Sequence, residues 1–209
     1  MFPQDVLFAY IAACLVVVMA PGPDNILAIS RGLSQGKAAA TLSSVGAGLG
    51  IMFHTTAAAL GLSLVIQASP VAFWAVKAVG GLYLLWLGYK ALASRSLISF
   101  EPSAHQSLRK VFFTGLLSNV LNPKPGLFVL AFLPQFVSAA RGPVALQMLV
   151  YGAIFALLTA LIFTVLGCFA FRLSSWLRRH PRVGTGLNVG AGLTFIAAGL
   201  SVLALRQRT

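Results

Sequence analysis

An all-α integral membrane protein is the fold class this sequence predicts, and three observations predict it. Of 209 residues, 58% are apolar and only 9% are charged, whereas a soluble domain carries roughly a quarter charged residues. Mean hydropathy is +0.91. The apolar residues also gather into stretches of about 20 or more, the length that crosses a hydrocarbon core, with short polar or basic loops between them. Asp5, Asp24 and Glu101 are the whole acidic complement, which leaves a formal charge of +12.

That basic balance excludes other classes. A nucleic-acid partner would need Lys and Arg clustered on a polar, soluble face, and no such face exists. Cys14 and Cys168 sit in apolar runs and make no disulfide framework. The first apolar run has no basic region before it and leads into further membrane segments, so it is not a cleavable signal. The remaining reading is a multi-pass protein in contact with membrane lipid, its basic residues held on one side.

Six spans are predicted, over residues 5–33, 38–67, 70–93, 110–138, 143–171 and 183–205. They divide one transmembrane domain (1–209) into a three-helix half (1–95), a loop (96–109) predicted to be cytoplasmic and a second three-helix half (110–209). Loops one, three and five with their flanks hold Arg31, Lys37, Lys90, Arg95, Arg109, Lys110, Arg172, Arg178, Arg179 and Arg182. The other side holds Arg141, Arg206, Arg208 and Lys77. Positive charge collects inside, so the odd loops are predicted to be cytoplasmic and both termini periplasmic.

Helices one and four are the informative ones. From Asp5 the apolar run lasts about 15 residues, roughly 22 Å at 1.5 Å per residue, before Pro21-Gly22-Pro23 interrupts it. A core of about 30 Å needs more, so the span must continue through the interruption. The fourth segment does the same through Asn122-Pro123-Lys124-Pro125-Gly126. Proline removes a donor and clashes with the preceding turn, so each P-x-P is predicted to break its helix inside the bilayer. A shift of 102 residues lays Pro21 on Pro123 and Pro23 on Pro125. With three helices per half the repeat is inverted, and matching Gly/Pro-interrupted segments in two halves point to a transporter's binding site.

The candidate site follows from these breaks. Asp24 is the carboxylate predicted inside the membrane, where ionised Asp costs about 2.5–3.5 kcal/mol. Its other expected role is to cap the half-helix that Pro23 opens. Lys124 stands in the second break, as a partner for Asp24 or for an anionic substrate group. Juxtaposed, the two breaks offer a carboxylate, an ammonium and helix ends, which suits a zwitterion such as a free amino acid. Asn25, Asn119 and Asn122 are the nearby amides, Asn122 reading also as an N-cap with Pro at N1. His54 lies mid-span in helix two, bonded to a backbone carbonyl or serving a proton relay. The glycines at 46, 48 and 50, and at 184, 186, 190 and 192, have the spacing of close helix packing. Oligomeric state stays open, a homodimer through a glycine-rich face being one arrangement this spacing permits. No nucleotide motif, metal-ligand cluster or nucleophile–base set is present, so neither cofactor, metal nor enzymatic activity is expected.

Pro21-Gly22-Pro23-Asp24-Asn25, Arg31-Gly32 and Gly36 resemble the lysine exporter superfamily, in its homoserine/threonine-resistance branch. The likeness extends through Gly46, Gly48, Gly50 and His54, then Lys77, Gly80, Tyr83-Leu84 and Gly88. It continues at Phe113-x-Gly115, Asn119 and Asn122-Pro123-Lys124. The resemblance implies a six-helix exporter of amino acids or derivatives in a bacterial inner membrane, driven by the proton gradient. On it, Asp24 matches the residue after Pro-Gly-Pro, and Asn122-Pro123-Lys124 the fourth-helix signature. The expectation is proton-antiport export of small amino acids, with Asp24 alternating between a proton and the substrate ammonium. A channel or exporter for another small solute, or a non-transporting scaffold subunit, is the alternative.

Overall fold

The computed structural model describes residues 2–20, 22–68, 70–93, 105–170, 172, 176, 179 and 181–204. Among them the secondary structure is wholly helical: α1 (Gln4–Met19), α2 (Pro23–Gln35), α3 (Lys37–Ala68), α4 (Pro70–Ala93), α5 (Leu108–Val120), α6 (Pro123–Ala131), α7 (Val144–Cys168) and α8 (Pro181–Ala204). Two short 3₁₀ turns, Leu133–Phe136 and Ala139–Arg141, join α6 to α7. Pro21, Arg95, Glu101, Arg178, His180, Arg206 and Arg208 lie outside the described residues.

Among the described residues, α7 is by itself long and apolar enough to cross a membrane. The pairs α1/α2 and α5/α6 qualify jointly, bent by 62° and 50°. α3, α4 and α8 run 32, 24 and 24 residues, at or beyond the length a bilayer core needs. Large apolar side chains face outward: Phe8, Phe53, Leu60, Leu121 and Leu157 are each more than half exposed. A surface of that kind belongs against lipid and not against water.

Local chemistry sets where the helices start. α2 opens at Pro23 after an extended Gly22, and α6 opens at Pro123 after Asn122. Each proline occupies a first-turn position, where its missing N–H costs nothing. The two starts are 100 residues apart, not the 102 that superposes the P-x-P pairs, because α2 begins on the second proline of its pair and α6 on the first. Gly36 closes the turn from α2 to α3 with φ of 80°, a conformation that glycine adopts without strain.

α2 differs from its neighbours by turning a polar side inward, burying Asp24, Asn25, Ser30 and Arg31. The apolar core gathers Tyr10, Cys14, Val17, Val18, Ile51, Phe128, Phe155 and Phe163 in one cluster. α3 is central. It packs along α5 and α7, while α4 packs along α8. The α3–α5 crossing is close because glycines face backbone there: a Cβ on Gly46 would strike the Phe112 carbonyl, and one on Gly115 the Ser43 carbonyl.

The two ends of the bundle are distinguishable. At one, Arg31 donates to Gln35 Oε1 (3.0 Å) and Gln106 Oε1 (2.9 Å), while Gln35 Nε2 donates to the Gln106 carbonyl (2.6 Å). This knots the end of α2 to the start of α5. At the other, Phe2 packs edge-on to Tyr151 with ring centroids 5.5 Å apart, and the Tyr10 hydroxyl donates to the Tyr151 carbonyl at 3.0 Å. Buried Gln147 fastens the loop there, donating to the carbonyls of Ser138 and Gly142, both at 2.9 Å.

Candidate functional site where two interrupted helices meet

The interruption between α1 and α2 lies against the one between α5 and α6. Asp24, at the second position of α2, is 6% exposed. Its Oδ1 accepts from Ser118 Oγ at 2.7 Å, and its Oδ2 from Asn119 Nδ2 at 2.8 Å and Asn122 Nδ2 at 2.9 Å. All three donors come from the end of α5 and the residues before α6, about a hundred positions away in sequence. Hydrogen bonds to a charged acceptor contribute about 1.5–3 kcal/mol each, which offsets the burial. Asp24 is therefore not the cap of its own helix, as the sequence had suggested. Gly22 is the N-cap, and no side chain caps α2. The carboxylate reaches across to α5 because donors wait there at hydrogen-bond distance.

Asn122 does cap α6: its Oδ1 accepts from the Lys124 N–H at 3.0 Å while its amide holds Asp24. Lys124 Nζ donates to the Ala20 carbonyl, at the C-terminal end of α1, at 2.8 Å. It lies against Gly22, where a Cβ would stand 3.0 Å from Nζ. The ammonium and the carboxylate thus share one site without a direct ion pair. Asn25 turns back along its own chain, Nδ2 donating to the Val18 carbonyl at 2.7 Å, and its buried Oδ1 has no hydrogen-bond partner.

His54 Nε2 is 3.1 Å from the Asn119 carbonyl. A carbonyl only accepts, so Nε2 carries the proton in this contact. His54 also backs Gly126 of α6, where a Cβ would come within 2.9 Å of Cε1. It thus touches both α5 and α6, at the backbone of the Asn119 that donates to Asp24.

Two spaces adjoin the site. A narrow cavity of about 10 Å³, room for one water-sized group, is lined by Asp24, Asn119, Lys124 and Thr159 with apolar walls from Val17, Val18, Ile51, Phe155 and Phe163. An open cleft of about 640 Å³ lies between α2 and α5, lined by Ile26, Leu27, Ser30, Thr114 and Ser118. It runs along both helices toward the end carrying the Arg31–Gln106 knot. On the opposite side a column of rings packs together: Phe128 on Phe132 at 4.9 Å, Phe132 on Phe136 at 5.2 Å, and Tyr10 on Phe136 at 5.1 Å.

Asp24, Asn119, Asn122 and Lys124 are thus brought together, Asn25 borders them, and His54 supports them from behind. Of the interrupting residues, Gly22, Pro23, Pro123 and Pro125 flank the site. Ser118 and Thr159 are absent from the sequence-based set. Ser118 had a signal: Ser118, Asn119 and Asn122 share one face of a helix end. Thr159 had a fainter one, being one of only three hydroxyl side chains, with Tyr151 and Thr164, in the most apolar helix.

The geometry describes a buried polar site between two helix interruptions. The family model for LysE type translocators matches residues 15–206. The chain belongs to the LysE family. It is a membrane protein of a translocator family, not an enzyme. An uncharacterized membrane protein of Bacillus subtilis is 33% identical over 77% of this chain and 80% of its own. The threonine efflux protein of Salmonella typhi is 30% identical over 92% and 94%. The homoserine/homoserine lactone efflux protein of the same organism is 26% identical over 96% and 97%. No solved structure matches the chain.

Proposed function

We propose that this protein exports small amino acids or their derivatives from the bacterial cytoplasm in exchange for protons, through a site built by Asp24 and Lys124. One observation carries the reading: a buried carboxylate from the first half is held by three donors of the second half, with a lysine ammonium in the same cavity. A site straddling two halves changes when they move relative to each other, which alternating access requires. Asp24 receives the substrate ammonium. Lys124 and the uncapped N-terminus of α2 beside it receive the carboxylate, where N–H groups and the helix dipole favour negative charge.

On this reading the chain is one domain of six spans, α1/α2 and α5/α6 each forming one span broken at its P-x-P. The halves, residues 1–95 and 110–209, are an inverted repeat, with the loop at 96–109 between them. The packing supports it, since α3 against α7 and α4 against α8 are the contacts a pseudo-twofold axis would place together. Positive charge puts the Arg31–Gln106 end in the cytoplasm and both termini in the periplasm. The cleft between α2 and α5 is then the cytoplasmic approach, and the ring column closes the periplasmic side. Threonine, homoserine and homoserine lactone, the solutes named for relatives, share an α-ammonium, and the lactone has no free carboxylate. The common element matches Asp24.

In each cycle the substrate ammonium occupies Asp24 from the cytoplasm. After the halves rock, a proton from outside replaces it, and the protonated site returns. The test is purified protein in liposomes, with a pH gradient driving movement of a labelled amino-acid panel, and Asp24→Asn in parallel. Wild type should transport, and the variant should lose at least about tenfold of the rate. Equal rates would remove Asp24 from coupling, and transport of nothing by either would favour another solute or the scaffold reading.

A further inference from the structure

Thr159 is 2% exposed in the middle of α7, and its hydroxyl has no hydrogen-bond partner. A buried helical hydroxyl ordinarily bonds the carbonyl four residues back. Ser34, Ser44, Thr55 and Thr114 all do so here, at 2.7–2.8 Å. Thr159 leaves that bond unmade and lines the water-sized cavity that Asp24, Asn119 and Lys124 also line. Asn119, 1% exposed, uses its amide nitrogen on Asp24 and leaves its own Oδ1 without a partner. Unsatisfied buried polar atoms cost about 1–3 kcal/mol each, so two on residues that line one cavity point to a missing donor.

We infer that Asp24, Asn119 Oδ1 and Thr159 Oγ form a three-acceptor socket for a primary ammonium group, with Thr159 as a substrate ligand contributed by α7. The inference deepens the exporter reading and rests on it for the direction of transport. An R–NH₃⁺ head is about the size of a water and carries three N–H donors, one for each acceptor. An N-methylated amine offers fewer donors and sets a methyl group against an acceptor that an N–H would have satisfied. The socket therefore selects primary over N-alkylated amines. The remainder of an amino acid does not fit the cavity as it stands, so loading requires its walls to part.

The test uses full-length protein in two readouts. In detergent, thermal stabilisation by methylammonium, dimethylammonium and trimethylammonium chlorides is compared for wild type, Thr159→Val and Thr159→Ser. Wild type should rank methylammonium first, Thr159→Val should lose the ranking, and Thr159→Ser should keep it. In liposomes, Thr159→Val should raise KM for the best-transported amino acid about tenfold with a smaller change in kcat, while Thr159→Ser stays within about threefold. The N-methyl form of that amino acid should compete poorly with wild type and gain relative ground in Thr159→Val. An amine ranking without amino-acid transport would uphold the socket and sink the exporter reading. Equal stabilisation by all three amines, or an unchanged KM in Thr159→Val, would overturn the socket and leave the cavity as water-filled packing.

Discussion

Lys124 shows how much one side chain's partner matters. Its ammonium donates to the last carbonyl of α1 while its own N–H is capped by Asn122, so it ties the end of α1 to the start of α6. If it also receives the substrate carboxylate, Lys124→Met should weaken binding of an amino acid by at least about tenfold. Binding of the corresponding methyl ester, which has no carboxylate to lose, should stay within about twofold. Competition by acid and ester against a labelled substrate checks this, and equal losses for both would remove Lys124 from carboxylate recognition. The variant also strands the Ala20 carbonyl and leaves Asp24 without its neighbouring cation. A loss of about 1–3 kcal/mol in stability should accompany it. The pairing of residue types at this site was readable from Asp24 and Lys124 standing beside matched prolines. Their partners were not, because Asp24 bonds to residues about a hundred positions away.

The helices explain why the amides sit where they do. α3 passes close to α5 through glycines, and Gly50 lies directly behind Asn119: a Cβ there would stand 2.7 Å from both Cβ and Oδ1 of Asn119. Gly50→Ala should push Asn119 off Asp24. Overpacking of this kind costs about 1–3 kcal/mol, and transport should fall further than stability does. Gly61, on the same helix with nothing near its Cβ position, is the control; Gly61→Ala should leave both unchanged. Thermal unfolding in detergent alongside liposome transport separates these outcomes. The sequence anticipated α4 to the residue, α3 to within one residue at each end and α7 to within three, because spanning length and flanking polar residues bound such helices. The fourth segment, expected to run to 138, has a joint span to Phe136, but its α-helix ends at Ala131, where Pro134 and a 3₁₀ turn take over. Small-residue spacing also reads as packing without saying against what. Gly192 does pack on Leu92 and Gly88, yet Gly186 has nothing within 4 Å of its Cβ position.

Seen entire, the bundle is asymmetric in a way that bears on access. The open cleft lies along α2 and α5 on one side of the site, and the aromatic column packs on the other. Arg31, counted in the sequence as a loop charge, is 3% exposed and bound to Gln35 and Gln106. It joins the flanks of the first and third loops on one face. Thr114 lines the cleft and bonds only its own helix, at the Lys110 carbonyl. In a background with Cys14 and Cys168 replaced by alanine, Thr114→Cys should react with a membrane-impermeant thiol reagent applied from the cytoplasm. Transported amino acid should slow that reaction by at least about threefold, by favouring closure of the cleft. Reaction from the periplasm alone would reverse the proposed orientation.

The sequence by itself determined that this is a membrane protein of helices, and it pointed to two P-x-P positions and the charges beside them. Those are matters of local composition: apolar run length, proline's missing donor, and the rarity of acids in a chain with only three. Only the tertiary structure decided what the charges do. Asp24 had a local option, capping α2, and a distant one, the donors on α5. Three hydrogen bonds across the molecule outweigh one cap within a turn, and that difference exists only once α5 has been brought alongside. Thr159 makes the same point from the other direction. Its hydroxyl gains meaning from the carbonyl it does not bond and the cavity it faces, and neither is written in the residues beside it.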